Sequence, residues 1–233
     1  YFKHNLKKTL KHTDMILYNS EQTKRTTEKY FPEAKQIKNV NAYIISNPVK
    51  KKWVNTDGDY FLYIGNMEKR KGVDLLIKGY LKYKESGGTK KLILGGKMQE
   101  EDINSLVESA MAKDKDISYL DYVSHDKKHE LYAGMSAFVF PSKAEGFGMP
   151  VIEVMRFNKP IIASNLPIFD EITDGNINTF DLRCSEQEQI ENLARIMSDY
   201  NANVDETAYD EVVHRYEPER LGKIVYDFIK TED

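Results

Sequence analysis

The chain has 233 residues, 40% of them apolar and 30% charged, and a net charge of −3. That length suits one large domain or two small ones, and the composition excludes a disordered chain. No apolar run approaches the roughly 20 residues of a membrane span. The single cysteine, Cys184, excludes an internal disulfide, makes a cysteine-based zinc site implausible and points to a reducing, cytoplasmic setting.

The first residue is Tyr1 and no signal-peptide pattern follows, so the chain reads as a piece of something longer. Its charge is uneven. Residues 1–52 hold 12 Lys/Arg against 4 Asp/Glu, a balance of +8, whereas residues 53–233 hold 22 against 33, a balance of −11. The bland account of the basic part is a solvated helical surface. The functional account is a basic face for an anionic membrane or a phosphate-bearing partner. Nucleic acid is not expected, because the acidic remainder would repel it.

Residues 1–12 are polar and basic with helical potential. Residues 15–18 read as a short buried strand, and Asn19 and Ser20 offer caps for a helix that reaches Tyr30 and stops at Phe31-Pro32. A second strand is expected at 42–45, closed by Ser46-Asn47-Pro48. Residues 49–59 are polar, hold three consecutive lysines and Asp57-Gly58, and read as a linker.

From Tyr60 onward the pattern is regular. Strands are expected at 60–64, 92–94, 117–119, 137–140 and 160–163. Helical spacing covers Val73, Leu76, Ile77, Tyr80 and Leu81, then Ile103, Leu106, Val107, Ala110 and Met111. Further helices are expected over 126–134, from near Pro150, over 167–173, over 186–200 and over 217–230. Wholly apolar strands alternating with amphipathic helices predict an α/β fold, a doubly wound parallel sheet from 60 to about 216. Ligands in such folds bind outside the carboxyl ends of the strands.

Two strand-to-helix connections carry chemistry. The first runs from Pro141 to Glu153 through Glu145, Gly146, Phe147, Gly148, Met149 and Pro150. Its glycines let the backbone approach a ligand, and a helix N-terminus behind them would favour an anion. Glu145 in the loop and Glu153 in the expected first helical turn would flank that concavity, and carboxylates accept hydrogen bonds from sugar hydroxyls. The bland account is a β–α turn with one solvated carboxylate and one favouring the helix dipole. The second connection is Gly65-Asn66-Met67-Glu68-Lys69-Arg70-Lys71-Gly72, where three cations at a helix start oppose the dipole unless an anion is bound. Its bland account is a solvated basic turn. His125 and His129, spaced i, i+4, lack an evident third ligand, so no metal is expected.

The Gly-x4-Arg-Lys-Gly run, the segment ending Glu130-Leu-Tyr-Ala133, Phe140-Pro-Ser142 and the Glu145-Gly-Phe-Gly-Met-Pro-x-x-Glu153 element together resemble the C-terminal half of a family 4 (group 1) retaining glycosyltransferase. That resemblance implies the GT-B architecture of two Rossmann-like domains around a cleft. It implies that residues 1–48 end the N-terminal, acceptor-binding domain, with 49–59 as linker, 60–216 as the nucleotide-sugar-binding domain and 217–233 as a helix crossing back. It implies that Glu153 binds the ribose hydroxyls and Glu145 the transferred sugar. The N–H groups of Gly146, Phe147, Gly148 and Met149 would hold sugar and diphosphate, Lys71 would neutralise the leaving diphosphate, and Val123 and Ser124 would line the base pocket. Where the family usually has a phosphate-binding arginine this chain has Asn66, which leaves Arg70 or Lys69 to compensate.

The expected activity is therefore transfer of a sugar from a nucleotide-sugar donor to a glycan or lipid-linked acceptor, with retention and without a cofactor, in surface-polysaccharide or glycolipid assembly. The alternatives are a nucleotide-sugar 2-epimerase and a non-catalytic donor-binding subunit. The expected partners are the donor, the acceptor, an absent N-terminal domain and, through residues 1–52, a membrane surface, which places the protein in the cytoplasm or at the inner face of a membrane.

Overall fold

A computed structural model of the chain describes residues 2–42, 53–56 and 58–230. The chain divides into two compact units, Tyr1–Pro48 with Val213–Asp233, and Val49–Val212.

In the first unit α1 (Phe2–Leu10) leads to β1 (Met15–Tyr18), α2 (Glu21–Tyr30) and β2 (Lys38–Asn41). Ser20 caps α2 by accepting from the Thr23 N–H, and the helix ends at Phe31 before a 3-10 turn over Pro32–Gln36. β1 and β2 pair in parallel. Leu10, Phe31 and Ala34 form a small core, with Leu6, Ile16 and Ile37 packed on it. β2 lies outside the strands expected from the sequence, because Lys38–Asn41 is mostly polar and carries little apolar signal. Residues 43–45, the Ser46-Asn47-Pro48 turn and the lysine run 50–52 lie outside the described residues.

The second unit holds a six-stranded, wholly parallel sheet. Its strands are β3 (Tyr60–Ile64), β4 (Lys91–Gly95), β5 (Ile117–Leu120), β6 (Ala137–Phe140), β7 (Ile161–Ser164) and β8 (Asn178–Phe180), in the order β5-β4-β3-β6-β7-β8. The connecting helices are α3 (Val73–Glu85), α4 (Glu101–Lys113), α5 (His125–Gly134), α6 (Met149–Met155), α7 (Pro167–Thr173) and α8 (Glu186–Asp199). α9 (Glu206–Arg215) follows, and the unit boundary falls within it at Val212, so that α10 (Pro218–Lys230) belongs to the first unit. This is the expected Rossmann-like α/β architecture. The strands of β6 and β7 are buried at every position, as a sheet covered on both faces requires.

Two elements were not legible in the sequence. β8 has three residues of which only Phe180 is buried, and α9 buries only Tyr209 and Val212. Residues 53–56, within the segment read as a linker, have no regular structure and are tied to the domain. Asn55 donates to the Phe157 carbonyl at 2.6 Å, Thr56 N–H to the Ala133 carbonyl at 3.0 Å, and Lys159 Nζ to the Thr56 carbonyl at 2.7 Å.

The strand order reverses direction between β3 and β6. The loops leaving these two strands, 65–72 and 141–148, therefore open side by side at the topological switch point, where doubly wound sheets bind ligands.

Candidate active site

The two loops are laced together by polar contacts. Lys143 N–H donates to the Arg70 carbonyl at 2.9 Å, and Arg70 Nη1 donates to the Ala144 carbonyl at 3.1 Å. The buried Ser142 hydroxyl lies 3.2 Å from the Ala144 carbonyl and 3.4 Å from that of Arg70. Ser164, also buried, donates to the Ser142 carbonyl from β7. Tyr63 donates to the Asn66 carbonyl at 2.8 Å, and burial holds its hydroxyl well above the usual tyrosine range, so it stays a donor.

The close approach of the loops depends on Gly72. Its φ is +71°, and a Cβ there would lie 2.0 Å from the Pro141 carbonyl oxygen. Any side chain would combine a disfavoured backbone with a collision against rigid backbone.

Lys69, Arg70 and Lys71 form a separate 3-10 turn that Gly72 ends, so they do not occupy the first turn of α3 as the sequence suggests. The first turn of α3 carries Asp74 instead, in accord with the dipole. The three cations therefore do not oppose the dipole of α3, and they differ by their partners. Lys69 pairs with Asp102. Arg70 pairs with Glu68 at 2.6 Å. Lys71 points inward: its Nζ is 2.6 Å from Glu145 Oε1 and 5.7 Å from the centroid of the Phe140 ring. Both side chains of that pair are largely buried, 16% exposed for Lys71 and 8% for Glu145. Asn66 is exposed at the loop's edge.

Beyond Glu145 the chain passes exposed Gly146, buried Phe147 and buried Gly148, whose φ is +99°. Gly148 caps α6, and Pro150 is that helix's second residue. Met149 is half exposed. Because α6 starts at Met149 and has only seven residues, Glu153 is not in its first turn. Beyond the first turn the helix dipole counts for little, and what engages Glu153 is a pair of side chains from α5. Lys128 Nζ lies 2.9 Å and the Tyr132 hydroxyl 3.1 Å from the same oxygen, Glu153 Oε2.

Ser124, at the N-cap of α5, accepts from the Lys127 N–H, and Val123 precedes it in the loop that follows β5. A Cβ on Gly95 would lie 2.9 Å from Val123 Cγ2, so this loop packs closely on the end of β4. The structure thus gathers Lys71 and Glu145 into direct contact. Glu153 stands one helix turn further along the same β6–α6 connection as Gly146 to Met149, and Val123 and Ser124 stand at the β5 end of the same sheet edge.

His125 and His129 share one face of α5, with ring centroids 4.2 Å apart. His129 is buried and packs against Trp53 and Phe157. Among the described residues no cluster of three or more His, Cys, Asp or Glu forms that could hold a metal. Sequence reasoning missed Lys128 and Tyr132. Their i, i+4 spacing on α5 is visible in the sequence, but nothing there connects it to Glu153.

Comparison with known proteins places these residues in a family. Residues 46–210 match the family described as glycosyl transferases group 1. The chain is 38% identical over 128 residues to O-antigen chain mannosyltransferase B of Escherichia coli, covering 54% of this chain and 33% of that protein. It is 30% identical over 178 residues to the O-antigen chain mannosyltransferase RfbU of Salmonella typhimurium, covering 75% and 49%. The chain therefore spans a third to a half of these curated relatives. Among solved structures, sucrose-phosphate synthase from Thermosynechococcus elongatus aligns with a TM-score of 0.78 at 17% identity, covering 98% of this chain and 61% of that one. Anabaena HepE, solved in complex with UDP and glucose, aligns with a TM-score of 0.77 at 15% identity, covering 98% and 67%.

Proposed function

The chain belongs to the group 1 glycosyl transferase family, and on that premise we propose that it forms the donor-binding part of an enzyme that moves a sugar from a nucleotide-sugar to a glycan or lipid-linked acceptor. The observation that carries the proposal is the partly buried Lys71–Glu145 pair at the switch point, with Glu153 beyond it on the same connection. A nucleotide-sugar needs a cation for its diphosphate, an acceptor for sugar hydroxyls and an acceptor for ribose hydroxyls, and these three side chains supply them.

In the proposed reaction the bond from the anomeric carbon to the diphosphate breaks and its electron pair stays on the phosphate oxygen. Lys71 offsets that charge as it develops, which is where electrostatic stabilisation is most effective. The anomeric carbon takes on oxocarbenium character, and the acceptor hydroxyl attacks it. The family resemblance assigns retention to attack on the face the leaving group departs from, with the acceptor proton passing to the departing phosphate. Glu145 orients the sugar, and the chain supplies its positive charge without calling on a metal.

The curated relatives are named O-antigen mannosyltransferases, which favours mannose as the sugar and a surface polysaccharide as the product. Acceptor-side groups come, in this reading, from a further domain, of which residues 1–48 are the end. No helix among the described residues is long and apolar enough to cross a membrane. The surface of the first unit suits a peripheral contact: Lys3, Lys7 and Lys8 of α1 are exposed, and Lys3 and Lys29 both lie over the exposed Tyr30 ring. An aromatic ring edged by ammonium groups matches the chemistry of an anionic headgroup layer.

The test is a thermal-shift series with GDP-mannose, UDP-glucose and ADP-glucose, followed by turnover assays. Ligand that binds the folded state raises the midpoint by mass action. The 233-residue chain is expected to respond to one nucleotide class and to turn its donor over poorly, because the reaction needs groups from both sides of a closing cleft. No shift with any nucleotide-sugar would remove the donor-binding reading, and release of an epimerised sugar would replace it with epimerase chemistry.

A further inference from the structure

Glu153 is not an evenly available carboxylate. Both of its protein donors, Lys128 Nζ at 2.9 Å and Tyr132 Oη at 3.1 Å, converge on Oε2. Among the described residues no hydrogen bond reaches Oε1. The donors stand one turn apart on α5, so a single helix face presents both. Tyr132 is fully buried, with its ring against Phe138 and Phe157, which fixes the direction of its hydroxyl. Burial and the neighbouring Glu153 charge hold that hydroxyl far above the usual tyrosine range, so it stays protonated and donates to the carboxylate. The Glu153 side chain keeps 16% of its surface exposed, and Lys128 keeps 18%.

We propose that Tyr132 and Lys128 are positioning residues for donor binding, which hold Glu153 by Oε2 so that Oε1 alone meets the ribose hydroxyls of the nucleotide. The proposal rests on the reading that Glu153 is the ribose acceptor, and adds to it which oxygen serves and what orients it.

An unheld glutamate samples several rotamers, and a ligand that needs one of them loses affinity by the fraction of time spent in the others. Tyr132 removes most of that freedom through a rigid two-torsion ring, while Lys128 adds charge on the side away from the ribose. With Oε2 already satisfied, the free oxygen is the one with acceptor capacity left, so the ribose diol meets a single, directed acceptor. Removal of the Tyr132 hydroxyl should therefore weaken only the part of nucleotide affinity that comes from ribose hydroxyls.

The experiment measures binding of GDP and UDP to the 233-residue chain by calorimetry, and pairs the tighter of the two with its 2′,3′-dideoxy form. Wild-type protein is expected to prefer the ribonucleotide. Tyr132→Phe is expected to reduce that preference roughly fivefold, the worth of one ordinary hydrogen bond, with affinity for the dideoxy form unchanged. Lys128→Met, at a more exposed position, is expected to move the preference the same way and serves if Tyr132→Phe folds poorly. Glu153→Gln separates the two readings. If Glu153→Gln lowers the preference while Tyr132→Phe and Lys128→Met leave it intact, the positioning proposal fails and the ribose reading stands. If Glu153→Gln leaves the preference intact, the ribose reading fails and the positioning proposal falls with it. An equal loss for both nucleotide forms in Tyr132→Phe marks a merely structural role and also overturns the proposal.

Discussion

Lys71 and Glu145 stand 74 positions apart in the chain, yet their charged atoms meet at 2.6 Å between the loops that leave β3 and β6. In the proposed reaction Lys71 serves the diphosphate and Glu145 the sugar, so the pair couples the two ends of the bond that breaks. It also couples the two loops, and that has a consequence for stability that does not depend on any ligand.

Removal of one member of a largely buried pair strands the other charge, which costs more than removal of both. Lys71→Met alone and Glu145→Gln alone are each expected to destabilise by about 1–3 kcal/mol, the cost of leaving a buried polar group without its partner. The double variant is expected to lose clearly less than their sum. Urea denaturation of the four proteins measures the coupling, and additivity within about 0.5 kcal/mol would mean that the contact contributes nothing of its own.

On the proposed function, substitutions should separate binding from chemistry. Lys71→Ala is expected to lower turnover by ~10²-fold or more, as loss of a single electrostatic stabiliser does elsewhere. Glu145→Gln should leave nucleoside diphosphate binding nearly unchanged and impair turnover of the intact donor. Calorimetry beside steady-state kinetics checks both. Equal weakening of the bare nucleotide by Glu145→Gln and by Glu153→Gln would reverse the roles given to the two carboxylates.

His129 makes stability depend on acidity. Burial is the main cause that lowers its pKa below the ordinary 6.5, and His125 and Lys128 add to the effect. Glu153 and Asp126 oppose it. The unfolded chain thus binds a proton at a pH where the folded chain does not, and stability rises with pH wherever that holds. The contribution is complete above about pH 6.5 and is lost as pH falls from there through the folded value. Thermal midpoints measured across mildly acidic pH should drop less steeply for His129→Phe than for the parent. Identical slopes would show that His129 does not titrate between the two states.

The basic surface of the first unit predicts salt-sensitive vesicle binding. Co-sedimentation with anionic vesicles should fall steeply as ionic strength rises through 0.1 M, where the screening length is about 10 Å. Lys3, Lys7 and Lys8 changed together to Glu should abolish it. Absence of binding even at low salt would leave residues 1–52 as a solvated surface.

The sequence by itself determined most of the sheet. The apolar runs expected as strands at 60–64, 137–140 and 160–163 are buried over most of their length because a parallel sheet covered on both faces favours apolar side chains. It also fixed the glycines at which the backbone turns, since Gly72 and Gly148 adopt positive φ. Its residues pointed to Glu145, Glu153 and the Lys69-Arg70-Lys71 run, and only the family resemblance singled out Lys71, because the three cations are alike as a string. Only the tertiary structure sends Lys69 to Asp102, Arg70 to Glu68 and Lys71 to Glu145. Lys128 and Tyr132 were silent for the same reason: a hydrogen bond across 21 or 25 positions exists only once α5 and the β6–α6 connection pack together. Local periodicity is set by neighbours in the chain, whereas the choice of partner for a charge is set by where the sheet reverses.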